Sequence, residues 1–480
     1  MNISKKIAID AIEKNEKIFT GISDRIWEYA ELSLKEFKSA DDYSGTLSEL
    51  GFEVERNVCG IPTAFLGRWG SGKPVIGILG EYDALSGLSQ VAGSSVREEL
   101  VKGGTGHGCG HNMLGAGSLA AAYGIKEYLR ESGKEGTVIF FGTPGEEGGA
   151  GKAFMARDGV WRDLDCALTW HPSDVNEVSV GTCNSCIQVL YKYKGTASHA
   201  AGDPEYGRSA LDAVELMNIG VQYLREHTKD DARIHYAMID GGGFSPNVVQ
   251  PTASVLYMVR SKQVSEAIDL ARRVDKIADG AAMMSETSYE KVFIDGCSGT
   301  VPNSVLEQLL YDNMKSLPLP EYTQDEIEYA EAMKATYETH GTPSVAAMYD
   351  KNVKDEIDRL TDNGRKALCD FVAPLHKGYH FSPGSTDVGD VSWQTPTAQI
   401  NTACFILGAP GHSWQNVSVG KTSVGHKGLI YAAKIIAAAA VDLIEKPELL
   451  AGAMAEFNKN TQGGYVCPIP ENESAKAVEL

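Results

Sequence analysis

Four short apolar runs, at residues 75–79, 137–141, 166–170 and 404–407, each stop at a loop rich in glycine or proline. A run that is apolar along its whole length has no face to give to water, so it fits a strand buried on both sides. Helical patterns such as residues 114–131 separate the early runs. Together they predict an α/β fold, a mostly parallel sheet covered by helices. Residues 24–39 read as an amphipathic helix, with Ile26, Trp27, Tyr29, Ala30 and Leu34 on its apolar side, and residues 428–444 as a core helix.

The middle of the chain has a different rhythm. Strand-like runs at 186–194, 234–239, 254–260 and 288–294 alternate with helical patterns at 208–227 and 265–284. That order, βαββαβ, is a small open sandwich. The expected organisation is a first domain over 1–185, resumed over 298–480, with an inserted domain over 186–297. A charged, helix-like stretch at 321–365 suggests no role.

Composition excludes some partners. Lys and Arg number 44 against 64 Asp and Glu, a net charge of −20, which disfavours nucleic acid and anionic membrane surfaces. The longest apolar stretch, 429–444, is interrupted by Lys434 and Asp442 and is too short to span a bilayer. The first residues carry charges where a signal peptide needs an apolar segment. Nine cysteines, an odd count, suit a reducing compartment, so a cytoplasmic protein is expected. Cys183 and Cys186 have CxxC spacing, but no second pair follows at zinc-ribbon distance.

In open α/β sheets, ligands bind beyond the carboxyl ends of the strands, and the loops there carry metal-type side chains. Glu81 and Asp83 follow the first run, Glu146 and Glu147 the second, His171 the third and His412 the fourth. The string Gly106-His107-Gly108-Cys109-Gly110-His111-Asn112 opens a helix. Its glycines let Cys109 and His111 point at one place. A thiolate and an imidazole suit a borderline-soft cation such as zinc, the plain alternative being a glycine-rich turn. The adjacent carboxylates Glu146 and Glu147 face different ways on a loop, one suited to metal and the other to a water proton. Two solvated glutamates are the alternative. Gly151-Lys152 lacks the upstream glycine and following Ser or Thr of a phosphate loop. His199 lies among small residues in the insert, where it is either near a substrate oxygen or on the surface.

The strings GEYDALSGLSQ, GHGCGHNMLG, PGEEGGAGKAFM, ALTWHP, GTASHAAGDPEYGRSALDAVELMN, SPNVVQ, STDVGDVSW and GHSWQ, in that order, resemble the aminoacylase and carboxypeptidase family of di-metal amidohydrolases. The nearest likeness is to its branch containing the B-type chain of aminobenzoyl-glutamate hydrolase. The resemblance spans residues 20–440.

It implies that Cys109, His111, Glu147, His171 and His412 hold two divalent ions, Zn2+ or Mn2+, with Glu146 as general base and then acid. It further implies that Asp83 orients a ligand and that His199 serves the active site of an opposite subunit. Asn247 and Arg260 match positions that contact substrate, and a strand-end ion pair is the other reading of Arg260. The implied activity is hydrolysis of N-acyl or N-aroyl amino acids, aminobenzoyl-glutamate foremost, by a homodimer or by a chain working with a sister subunit. A dipeptidase and a non-catalytic partner subunit are the alternatives. Asn112 and Ser86 stand where many relatives carry aspartate and proline, and Glu81 where they carry histidine or aspartate.

Overall fold

The computed structural model describes residues 3–339 and 350–477. Its strands are β1 (Glu53–Arg56), β2 (Phe65–Ser71), β3 (Val75–Gly80), β4 (Gly136–Gly142), β5 (Cys166–Ser173), β6 (Glu177–Ser179), β7 (Thr182–Cys183), β8 (Ser185–Lys194), β9 (Arg233–Asp240), β10 (Thr252–Ser261), β11 (Ser288–Cys297), β12 (Phe381–Ser382) and β13 (Thr397–Ala403). Seven form one sheet in the order β1-β2-β4-β3-β5-β13-β6. Its centre, β4-β3-β5-β13, is parallel, and the flanking pairings are antiparallel.

The apolar runs are buried on both faces, as their composition requires. On β4, Val138 and Phe140 join a core shared with the helices Ile3–Lys14, Glu16–Tyr29, His111–Ser132 and Ser423–Glu445. Ile139 and Phe141 face the opposite core, against the helix Gly151–Arg157. The helix His111–Ser132 approaches closely because small residues face its neighbours. A Cβ on Gly115 would lie 2.5 Å from the Tyr43 hydroxyl and 2.7 Å from the Glu81 carbonyl oxygen.

Two boundaries differ from the sequence reading. The fourth run is not a strand: β13 lies just upstream, and residues 404–407 form a buried turn whose Cys404 and Phe405 amides donate to the Ser173 carbonyl. Gln399 and Asn401 break the apolar signal of β13, so the turn outscored the strand. The helix expected over 24–39 ends at Tyr29, where Ala30 takes φ 42°, and Leu34 takes φ 60°. This break brings residues 31–36 to the ends of β3 and β4.

The second sheet, β11-β8-β10-β9, is antiparallel throughout. The helices Ala210–Arg225 and Val264–Ser285 pack on it, giving the order βαββαβ. The charged stretch 321–365 holds the helices Gln324–Lys334 and Lys351–Leu360, and residues 340–349, within it, lie outside the described residues.

Gly115→Ala is expected to cost about 1–3 kcal/mol by overpacking, measured by urea unfolding. Gly45→Ala, in the helix Phe37–Glu49 with nothing within 4 Å of the added Cβ, should instead gain about 0.5–1 kcal/mol.

Candidate active site

The loops beyond β3, β4 and β5 meet the glycine string at the start of the helix His111–Ser132. Gly110 takes φ 83°, a conformation costly for other residues. This turn lets Cys109 and His111 present ligand atoms within 4.8 Å of each other and of His171. Cys109 also groups with Glu147 and His412, and His111 with Glu81 and Glu146.

The hydrogen bonds fix which nitrogen faces the cluster. His171 Nδ1 lies 2.7 Å from the Pro172 carbonyl oxygen. A carbonyl can only accept, so Nδ1 carries the proton and Nε2 turns its lone pair toward Cys109 Sγ, 3.4 Å away. His111 Nδ1 donates in the same way to Asp83 Oδ1 at 2.8 Å. Its Nε2 makes no hydrogen bond among the described residues, although Glu81 Oε2 is 3.2 Å off. Glu147 Oε1 is likewise without a hydrogen bond, 3.5 Å from His412 Nε2. Buried lone pairs facing lone pairs call for a cation between them. The donor set of sulfur, imidazole and carboxylate fits a divalent transition metal.

The electrostatics agree. Burial pushes the Cys109 thiol up. Burial, then Glu81, Glu147 and Asp387, push the Glu146 carboxyl well up. Burial works against a charged His111, but Cys109 and Asp83 override it and raise its pKa. The cluster is short of positive charge. Two carboxylates go the other way: at Glu81 burial, which would raise it, is outweighed by Lys152 and His111, and at Asp83 burial is outweighed by bonds from His111, the Glu147 amide and Ser33, which hold it at about 2. Behind it Glu36 accepts from the Leu34 and Gly145 amides, each at 2.8 Å, and burial followed by the Asp83 charge pushes it to about 8. His412 differs in being exposed, at φ 51°, a strained value for a non-glycine residue.

Glu146, Asp83, Cys109, His111, Glu147, His171 and His412 are thus brought together. His199 is not with them. It is exposed, its Nδ1 accepts from the Ala201 and Gly202 amides, and it bridges to Val248. The exposed Asn247 accepts the Ala200 amide beside it. Arg260 lies between the two regions, donating to Ser385 Oγ at 2.6 Å. Ser385, with His171, Thr386, Thr300, Glu307 and Asn401, lines a cavity of about 300 Å³ next to the cluster. Cys186 meets Cys297, Sγ to Sγ 3.2 Å, instead of Cys183.

Sequence reasoning missed Lys152 and Asp387. Lys152 is buried, its ammonium 2.7 Å from Glu81 Oε1 and 2.6 Å from Asp387 Oδ1. Asp387 sits in the string STDVGDVSW, where its charge among small residues was the available signal. Asn112 has a structural reason: its amide donates to the Gly420 carbonyl and Ser23 hydroxyl oxygens, which an aspartate cannot do.

Residues 77–438 match the profile of peptidase family M20/M25/M40. The chain belongs to that family. Its members' chemistry makes it a metal-dependent amide hydrolase. It is 44% identical to the B-type chain of p-aminobenzoyl-glutamate hydrolase from Escherichia coli (strain K12), over 96% of this chain and 97% of that one. It is 26% identical to the Xaa-Arg dipeptidase of Mus musculus, over 96% and 94%. The fold matches the crystal structure of the Bacillus subtilis YXEP protein, a dinuclear metal-binding peptidase of the M20 family, with TM-score 0.52, 17% identity and coverage of 90% and 99%. Among the described residues no helix of this M20 chain is long and apolar enough to cross a membrane.

Replacing Asp83 by Asn should weaken divalent-ion affinity about 10–100-fold, because the carboxylate that orients His111 is lost. Competition with a chromophoric chelator on metal-free protein measures this.

Proposed function

We propose that this chain hydrolyses p-aminobenzoyl-glutamate to p-aminobenzoate and glutamate. The observation that carries the reading is the convergence of Cys109, His111, Glu147, His171 and His412 around Glu146, with unpaired lone pairs on His111 and Glu147. The substrate follows the 44% identical relative. In this reading Cys109, His111 and His171 would hold one ion, and Glu147 and His412, grouped with the same thiol, would hold the other. Such ions, zinc by the softness of the thiolate or manganese, lower the pKa of water toward ~7 and polarise the amide carbonyl. Glu146 takes the water proton and returns it to the leaving amine. Asp83 holds His111 in the tautomer that leaves Nε2 free.

The leaving glutamate carries two carboxylates, and the insert offers matching charge. Arg260 on β10 pairs directly with Arg233 on β9, a like-charge juxtaposition that costs stability unless an anion intervenes. His235 and Lys262 line the same recess, together with Asp230 and Asp231. We assign substrate carboxylate binding to Arg260, and polar contact with substrate to Asn247 and His199, with His199 acting from an opposite subunit. The insert over 186–297 is read as the lid and pairing domain of a homodimer or of a complex with a sister chain, since the 44% identical relative is itself one of two differently named chains of its hydrolase. A cytoplasmic setting suits nine thiols, all free.

A second reading has its own observation. Glu177 and Glu307 line the cavity beside His171, an acidic wall that suits a cationic residue, as in a dipeptidase. A panel of p-aminobenzoyl-glutamate against Xaa-Arg dipeptides, with added Zn2+ or Mn2+, separates the two by kcat/KM. In the same assay Glu146→Gln should lose about 10²–10⁴-fold in kcat while elemental analysis finds its metal retained. Turnover equal to wild type would remove Glu146 from the role of base.

A further inference from the structure

His111 has one ring nitrogen to give. Nδ1 is committed to Asp83, yet Nε2 belongs to two ligand groups, one with Cys109 and His171 and the other with Glu81 and Glu146. One lone pair serves one ion. A cation in the second group would also tie up Glu146, whose proposed task needs a free carboxylate. The fold therefore has to choose between the groups.

Lys152 stands at the point of choice. Its side chain is fully buried, and its ammonium bridges Glu81 Oε1 at 2.7 Å and Asp387 Oδ1 at 2.6 Å. Its own backbone amide donates to Asp387 Oδ2 at 2.9 Å, so the aspartate fixes both ends of the residue. A second cation on Glu81 would sit beside this ammonium in a low-dielectric setting, where like charges repel strongly. The bridge also joins three segments: the loop after β3, the helix Gly151–Arg157 and the stretch before the helix Val388–Ser392, whose Ser385 and Thr386 line the cavity.

We propose that Lys152 is a positioning residue that acts as an internal counter-cation: it keeps Glu81 out of the metal ligand set, commits His111 Nε2 to the group with Cys109 and His171, and leaves Glu146 free of metal. This rests on the reading of the cluster as a metal centre with Glu146 as base. A well-packed ion pair of purely structural value would leave the choice of ligands untouched, and the two roles differ in what they do to the bound metal.

The test titrates metal-free full-length protein with Co2+, counting bound ions by elemental analysis and following the visible ligand-field and thiolate-to-cobalt absorption. Turnover of p-aminobenzoyl-glutamate is measured on the same samples. Lys152→Met is expected to change the ligand-field spectrum as Glu81 enters the coordination sphere, and to lower kcat about 10–100-fold with KM little moved. The double variant Lys152→Met with Glu81→Gln should recover part of kcat and return the wild-type spectrum, and the change and return of the spectrum are what a purely structural role would not produce. Glu81→Gln alone should leave the cobalt spectrum and ion count as in the wild type, and an altered spectrum there overturns the inference even where Lys152→Met fails to fold. A wild-type spectrum in Lys152→Met, or an altered one in Glu81→Gln, overturns the inference while the metal-hydrolase reading stands. Wild-type protein that takes up no Co2+ overturns both.

Discussion

The Asp83 carboxylate is the joint on which the site depends. One oxygen accepts from His111 at the start of a long helix, and the other from Ser33 and from the Glu147 amide in the loop after β4. Three segments distant in sequence are held by one side chain at the end of β3. The cost of burying that charge is offset by charge-assisted hydrogen bonds, which is why Asp83 stays ionised while its neighbours Glu36, Glu146 and Glu147 are pushed toward protonation. Glu36 extends the same joint backward, fixing Gly145 just ahead of Glu146.

How much of this could be read beforehand follows from where the signal is local. β3, β4 and β5 were legible because both faces of each are buried, so apolar character ran unbroken. β13 was not, since Gln399 and Asn401 interrupt it and the buried turn after it is more apolar than the strand. Cys109 and His111 were legible because glycine beside potential ligands is a local pattern. Lys152 was not. Its partner Asp387 is 235 residues away, and Gly151-Lys152 in isolation suggests a phosphate loop. The break after Tyr29 was hidden too, because Ala30 and Leu34 continue a helical apolar stripe while taking left-handed conformations. The seven clustered residues came from motifs; His199 and Asn247 came from motifs equally sound but stand in a different part of the fold.

The chain's large negative charge and its site are connected only in kind. On the surface, acidic side chains are solvated and decide little. In the cluster, carboxylates are buried together, and each requires a hydrogen-bond donor, a proton or a cation. The protein meets that requirement differently at each one: amides, a hydroxyl and imidazole at Asp83, an ammonium at Glu81 and Asp387, and at Glu147 an oxygen without a hydrogen bond that faces His412.

The second sheet shares one buried core with the helix Gly151–Arg157 and with Val388, Val391 and Ile469. Cys186 on β8 pairs with Cys297 on β11 and with Arg260 on β10, so all three lie abreast where the chain enters and leaves this sheet. From there β8 runs on to Lys194, ~26 Å away, and His199 and Asn247 lie beyond that far end. One end of this sheet is thus tied through Arg260 to Ser385 beside the cavity, while the other carries His199 and Asn247 into solvent.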